Sequence, residues 1–397
     1  MKKIQVNILK AGLAYDKPIY IDKENIFVDA YEPIKPSDLE RLNKWNITEL
    51  ETDGQPAKPK TKSAYDEPEG IEREEILKAK ELFIRASVIF DEIEEFMKKG
   101  VVTLNEAYGT IISENPYQIS ILRNLAEELA ALLNNNPECF MNIYYIEMEK
   151  SLYKHLMYSA VFGAQLGKAL DFSQPKIIEL VFSIFLMDIG MMLLPPAIRD
   201  NSEKLSPEDK VQLQAHPLKG YQLLTKKVKV KTNIAQVAIE HQEHFDGSGY
   251  PRKLKGKEIS EFARIAMIAD SYSALLEEKS YRAKKVPYNA MREILSLGIY
   301  NYDPDFMKQF LNRHSIYPVG SLVELSDGSK GVIVTASAEK PMRPIVHILR
   351  LADGSIPEQN IFLHLLYRTH FFVVSPIDIG TLGTTYKDEL QRIISKA

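Results

Sequence analysis

At Ile71 the apolar residues of this 397-residue chain change their spacing. Upstream, short apolar runs (Ile4-Val6-Ile8, Ile19-Tyr20-Ile21, Ile26-Phe27-Val28) alternate with Gly, Pro and Asp. That pattern predicts a small β-rich domain over residues 1–51 with one helix starting near Ser37, where Pro36 and Asp38 act as start signals. Downstream, Ile76, Ala79, Phe83, Ala86, Phe90, Ile93 and Met97 recur three and four residues apart, the repeat of one helix face. Between the two patterns, residues 52–70 are rich in Pro, Lys and Gly and poor in large apolar side chains, which predicts a flexible linker.

The helical spacing continues to about residue 315. Leu77, Leu82, Ile84 and Ile89 form a second apolar face in the first of these helices, which favours burial in a helical core. A homodimer contact through residues 76–97 is the alternative. Ser206 before Pro207, Glu208 and Asp209 predicts a helix start, and Asp303-Pro304-Asp305 predicts another. After Tyr317 the pattern returns to strands. Leu322–Leu325 and Gly331–Val334 flank the turn former Asp327-Gly328, a predicted hairpin. Pro344–Leu351 and Phe371–Val374 predict further strands, and Lys387–Lys396 a closing helix. The fold class is therefore mainly α with small β-rich ends, the last over residues 316–397.

Composition excludes several functions. A net charge of -4 argues against a nucleic-acid polymer as partner, since that grip needs a basic face. The run Lys226, Lys227, Lys229, Lys231 reads as a solvated turn before it reads as a phosphate site. The single cysteine, Cys139, implies no disulfide framework and fits a reducing cytoplasm. The N-terminus lacks an apolar signal region. The stretch Ile177–Ile198 approaches membrane-spanning length, but it carries Glu179 and Asp188 and ends at Pro195-Pro196. A buried helix followed by a turn is the expectation, with no membrane span.

Four of the eight histidines (His155, His216, His241 and His244) fall within one ninety-residue stretch of this helical region. Asp188 sits in the apolar stretch, and Asp270 follows the apolar run Ile265–Ala269. Carboxylates in such settings must be paired, hydrogen-bonded or metal-bound. Imidazole and carboxylate without cysteine suit Mn, Fe or Zn and the activation of water for phosphoryl transfer.

The segment His241-Gln242-Glu243-His244-Phe245-Asp246-Gly247-Ser248-Gly249-Tyr250-Pro251 resembles the signature of HD-GYP proteins, a branch of the HD superfamily. Its glycines permit a tight loop directly after a histidine-bearing helix. Ala263-Arg264-Ile265 through Asp270, then Tyr272–Leu275 and Tyr281-Arg282, resemble the family's Asp-bearing helix. His216-Pro217 with Gly220 resembles its middle histidine motif, and Met187-Asp188-Ile189-Gly190 its His-Asp pair. The resemblance covers residues 140–315, an HD-type helical domain preceded by a helical segment over 71–139.

It implies a two-metal phosphodiesterase acting on cyclic di-GMP, with Fe or Mn as the metal. Carried over by position, His155, Asp188 and Asp270 would bind one ion. Asp188 would bridge to a second ion held by His216 and His241. Asp246, Gly247, Gly249, Tyr250 and Pro251 would form the loop beside the substrate. Three positions depart from the pattern: Met187 and Gln242 stand where the family has histidines, and Met191 where a lysine is frequent. A thioether is a poor ligand for hard Mn or Fe, so partial metal occupancy is expected. The leading reading is recognition of cyclic di-GMP or a related dinucleotide with reduced or absent hydrolysis. An active phosphodiesterase and a protein-interaction scaffold are the alternatives.

Overall fold

The protein is described from a computed structural model covering residues 2–21, 26–28, 30–45, 47–57, 70–113, 119–136, 140, 142–199, 206–277, 286–335 and 341–396. It divides into two compact units, Met1–Arg73 and Glu74–Ala397.

The first unit contains β1 (Lys2–Gln5), β2 (Ala14–Tyr15), β3 (Ile19–Tyr20), β4 (Ile26–Val28), α1 (Pro36–Lys44), β5 (Glu49–Thr52) and β6 (Pro56–Ala57). The sheet order is β1-β5-β3-β4, and β2 pairs separately with β6. The α1 start matches the sequence signals: Pro36 opens it, and Asp38 accepts the Lys35 amide at 2.8 Å. Ile4, Ile19, Val28, Leu42 and Leu50 close its core. The expected linker starts too early. Thr52 ends a strand and Pro56–Ala57 pairs with β2, because short edge strands need only backbone partners and no apolar run. Residues 58–69 of that linker lie outside the described residues.

Most of α2 (Gly70–Val88) and all of α3 (Phe90–Ile112) belong to the second unit, with a turn at Ile89 between them. The apolar seam from Ile76 to Met97 is buried in this unit's own core. The supposed second face differs from expectation, since Leu77 is 54% exposed and Leu82 36%. Next come α4 (Ile119–Asn135), α5 (Leu152–Ala169), α6 (Gln174–Leu186), α7 (Pro196–Arg199), α8 (Pro207–Leu213) and α9 (His216–Leu223). The helices continue with α10 (Thr232–Glu240), α11 (Glu261–Leu276), α12 (Pro287–Asn301) and α13 (Pro304–His314). The two predicted caps form: Ser206 accepts the Asp209 amide, and Asp303 those of Asp305 and Phe306.

Helix α5 is apolar on nearly every side, buried from Leu156 to Gly167, and packs against α3, α6, α11 and α13. Such all-round burial makes it the centre of the bundle. Strands β7 (Leu322–Leu325), β8 (Lys330–Thr335), β9 (Ile345–Arg350), β10 (Ile361–His364) and β11 (Val373–Pro376) follow, then α14 (Tyr386–Ser395). They make one antiparallel sheet in the order β10-β9-β8-β7-β11. The expected hairpin is β7–β8. Strand β10 had no sequence signal beyond one short apolar run. No described helix is long and apolar enough to cross a membrane.

Candidate metal centre

The apolar stretch becomes α6, and the helix stops at Leu186, well before the expected turn at Pro195-Pro196. Asp188 lies just past its end, at the start of a short 3-10 turn (Ile189–Leu193), rather than within the helix. Gly190 and Gly220 explain why this turn meets α9. A Cβ on Gly190 would come within 2.0 Å of the His216 carbonyl oxygen, and one on Gly220 within 3.1 Å of the Gly190 nitrogen. Only a glycine at 190 lets the two backbones touch and brings Asp188 beside His216.

Asp188, His216 and His241 are buried, and their ligand atoms lie within 4.8 Å of one another. The Asp188 Oδ1 is 3.3 Å from Nε2 of both rings. The two Nε2 atoms are 3.2 Å apart. His216 Nδ1–H donates to the Leu213 carbonyl at 2.7 Å, and His241 Nδ1–H to that of Ala238 at 3.0 Å. These bonds leave both Nε2 atoms bare. Three acceptors therefore converge with no donor among them, a donor set that fits a cation. Burial opposes a charge on Asp188. A ring that takes up a proton at Nε2 in place of a cation becomes a donor to Asp188, and such hydrogen bonds from His216 and His241 outweigh burial and hold the carboxyl well below its usual range.

A second cluster shares Asp188: His155, Asp188 and Asp270 also lie within 4.8 Å. His155 Nε2 is 2.6 Å from Asp270 Oδ1. At the other ring nitrogen stand Ser273 Oγ at 3.2 Å and Glu277 Oε1 at 3.6 Å. Burial lowers the His155 pKa, yet the hydrogen bond with Asp270 and the nearby carboxylate of Glu277 outweigh burial and hold it well above the ordinary value. The two clusters share Asp188, and each could hold a cation.

Gln242 lies at the cluster edge. Its amide nitrogen donates to Asp270 at 3.5 Å, and its Oε1 accepts from Tyr250 at 3.2 Å. Met187 is fully buried. His244 belongs to neither cluster and is bonded to Ser248 at 2.9 Å.

The glycine-rich segment forms the loop after α10. Asp246 accepts the Ser248 amide at 2.8 Å, which folds the turn, and hydrogen bonds from the Ser248 side chain and then its amide hold the carboxyl below the usual range. A Cβ on Gly249 would meet the His244 nitrogen at 2.3 Å, so only glycine passes there. Tyr250 precedes a cis Pro251, and its hydroxyl, with a pKa raised by burial, reaches the cleft. Gly247 and Pro251 shape the loop.

Two carboxylates that the sequence reading left without a role hold this loop from below. Glu243 accepts the amides of Arg252 at 2.7 Å and Leu254 at 3.0 Å. Glu240 accepts the Ser260 amide at 2.8 Å and pairs with the Arg252 guanidinium. Both are fully buried. Their signal was present: acidic residues three apart at the end of an apolar helix, as telling as Asp188. Lys150, Arg199 and Glu277 also line the cleft and had no sequence signal. The cleft measures about 810 Å³ and opens onto both clusters.

A profile of the HD domain matches residues 121–306, and one described as a KOW domain associated with the HD domain matches residues 322–384. Residues 121–306 are thus similar to an HD domain. The chain is similar to a cyclic di-GMP phosphodiesterase of Pseudomonas aeruginosa, 27% identical over 59% of this chain and 56% of that protein. A cyclic di-GMP phosphodiesterase of Borreliella burgdorferi is 25% identical over 52% of this chain and 54% of that protein. A 3'3'-cGAMP-specific phosphodiesterase of Vibrio cholerae is 33% identical over 49% and 46%. The chain thus spans about half the length of the curated relatives it matches. Among solved structures, an HD-GYP-like protein of Bdellovibrio bacteriovorus aligns with a TM-score of 0.48 at 16% identity, over 78% of this chain and 97% of that one. The HD match begins within α4 and takes in both clusters. Tyr281, Arg282 and Cys139 lie outside the described residues.

Proposed function

We propose that the HD domain binds cyclic di-GMP or a related cyclic dinucleotide in the cleft over a divalent-metal site, with slow or absent hydrolysis. The observation that carries the reading is the convergence of bare acceptors from Asp188, His216 and His241 beside His155 and Asp270. Names of the relatives supply the substrate class. In this reading His155, Asp188 and Asp270 hold one ion and Asp188, His216 and His241 the other, with Fe or Mn as the metal. The ions, when bound, draw charge from a phosphate and lower the pKa of water. Tyr250 supplies a hydroxyl on the wall, and Lys150 and Arg199 supply positive charge for a phosphate.

Weak hydrolysis is supported by Gln242, whose amide oxygen is engaged by Tyr250 rather than left for a metal. The thioether of Met187 offers no better ligand. An active phosphodiesterase is the second reading, favoured by the intact pair of clusters sharing Asp188. Anaerobic purification, metal analysis and assay against cyclic di-GMP with added Mn or Fe separate the two. The expected result is tight dinucleotide binding, fewer than two ions per chain and slow turnover. Two ions retained through mild chelation, with rapid turnover, would put the second reading first. Absence of dinucleotide binding would remove both.

A further inference from the structure

His155 is held differently from the other two imidazoles. Backbone carbonyls accept from Nδ1 of His216 and His241. The groups at Nδ1 of His155 are side chains, Ser273 and Glu277. The Ser273 hydroxyl also lies 3.2 Å from the His155 carbonyl oxygen, so its proton goes there and it offers the ring only a lone pair. Glu277 directly follows α11, its side chain is 14% exposed, and its buried Oε1 has no hydrogen-bond partner among the described residues. A carboxylate oxygen left in that state is costly unless a donor closes on it. The nearest ring nitrogen, at 3.6 Å, is that donor.

We infer that Glu277 is the positioning residue of His155. Its carboxylate takes up the Nδ1–H, fixes that tautomer and pushes electron density to Nε2, the atom turned toward Asp270. Metal-bound histidines gain orientation and basicity from such partners, and losing one costs about 10–100-fold in metal affinity. The inference rests on the reading of His155 as a metal ligand. It adds that the His155 ion depends on a charged side chain, whereas the ion of His216 and His241 depends on the backbone.

The test uses the full chain, Mn titrated by calorimetry and Co loaded for visible spectra. Glu277→Gln keeps the shape and removes the charge. It should weaken one of the Mn ions about tenfold or more, shift the Co bands and leave the melting temperature near that of the parent. Glu277→Asp should lose less than Glu277→Gln. His155→Ala should remove the same ion altogether. Parent-like affinity and spectrum in Glu277→Gln, with the ion lost in His155→Ala, overturn the role of Glu277 alone. Parent-like binding in His155→Ala overturns the ligand reading and this inference with it. If Glu277→Gln does not fold, the Zn-loaded parent decides by nitrogen NMR. A His155 proton on Nδ1 is expected, and one on Nε2 overturns the inference.

Discussion

Two regions of the second unit keep histidines from water and treat them in opposite ways. His314, at the end of α13, packs its ring 4.3 Å from that of Phe310, and its Nε2 has no hydrogen-bond partner among the described residues. Burial pushes its pKa down to about 3. His347 in β9 stacks on Phe362, bonds Asn360 at 3.1 Å and is pushed down by burial to about 4. In the cleft, burial also opposes charge on His155 and His241, and carboxylates reverse the outcome. Burial alone thus makes a neutral aromatic of a histidine. A carboxylate at Nε2, with a fixed acceptor at Nδ1, is what turns a buried ring into a candidate ligand.

The largest expected effect comes from adding imidazoles to the carboxylate-rich region. Met187→His with Gln242→His should raise metal content toward two ions and cyclic di-GMP turnover by about 100-fold or more, since even outer partners are worth 10–100-fold. Each single change should give much less, because the two ions act as a unit. Kinetics of the parent, both single mutants and the double mutant, with metal analysis, check this. A double mutant that holds two ions and stays inactive would break the link between ligand count and turnover.

Next comes the backbone contact that creates the cleft cluster. Gly190→Ala places a methyl against the His216 carbonyl, where backbone cannot yield. A loss of about 3 kcal/mol in urea unfolding and of the Asp188–His216–His241 ion is expected. Unchanged stability with full metal content would show that this contact does not set the site.

The pH dependence sharpens the contrast further. His314 and His347 have folded pKa values below the ordinary value of about 6.5, so the unfolded chain binds more protons between the two. Their contribution is complete above about pH 6.5 and falls as pH drops toward 4, by on the order of 1 kcal/mol per pH unit for each. His241, raised in the folded state, runs the other way in metal-stripped protein: its contribution is present at low pH and lost as pH rises. Urea unfolding between about pH 7 and 5 should show a shallower acid limb in His314→Phe than in the parent, and equal limbs would remove this assignment. At neutral pH the same substitution should change stability by less than about 1.5 kcal/mol, the smallest effect here, since the ring already sits among aromatics.

Much of this contrast could be read before any coordinates, and the limits have physical causes. Asp188, Asp270 and the glycine-rich loop were legible because a carboxylate in an apolar run, or paired glycines after a helix, are local violations of ordinary patterning. The helix caps at Ser206 and Asp303 were legible for the same local reason. Leu77 and Leu82 misled because periodicity marks a face as apolar without saying which of two apolar faces finds a partner. Glu277 and Ser273 were invisible. They act on a ring more than a hundred positions away, through a contact that only the packing of α5 on α11 creates. The same separation hid the difference between His155 and His314, since both are single histidines on helices.

The attachment of the loop beyond Tyr250 has a consequence for how this cleft can change over generations. Arg252, Leu254 and Ser260 hang from Glu243 and Glu240 by their backbone amides. An amide is common to every residue except proline, so at Leu254 and Ser260 the attachment is indifferent to the side chain. The rim can therefore be rewritten one residue at a time without loosening its anchorage, provided the two acids beneath it stay and proline stays out. Arg252 is less free, because its guanidinium also answers the charge of Glu240. A lineage under pressure to recognise a different ligand would find latitude on the rim and almost none in the pair of glutamates.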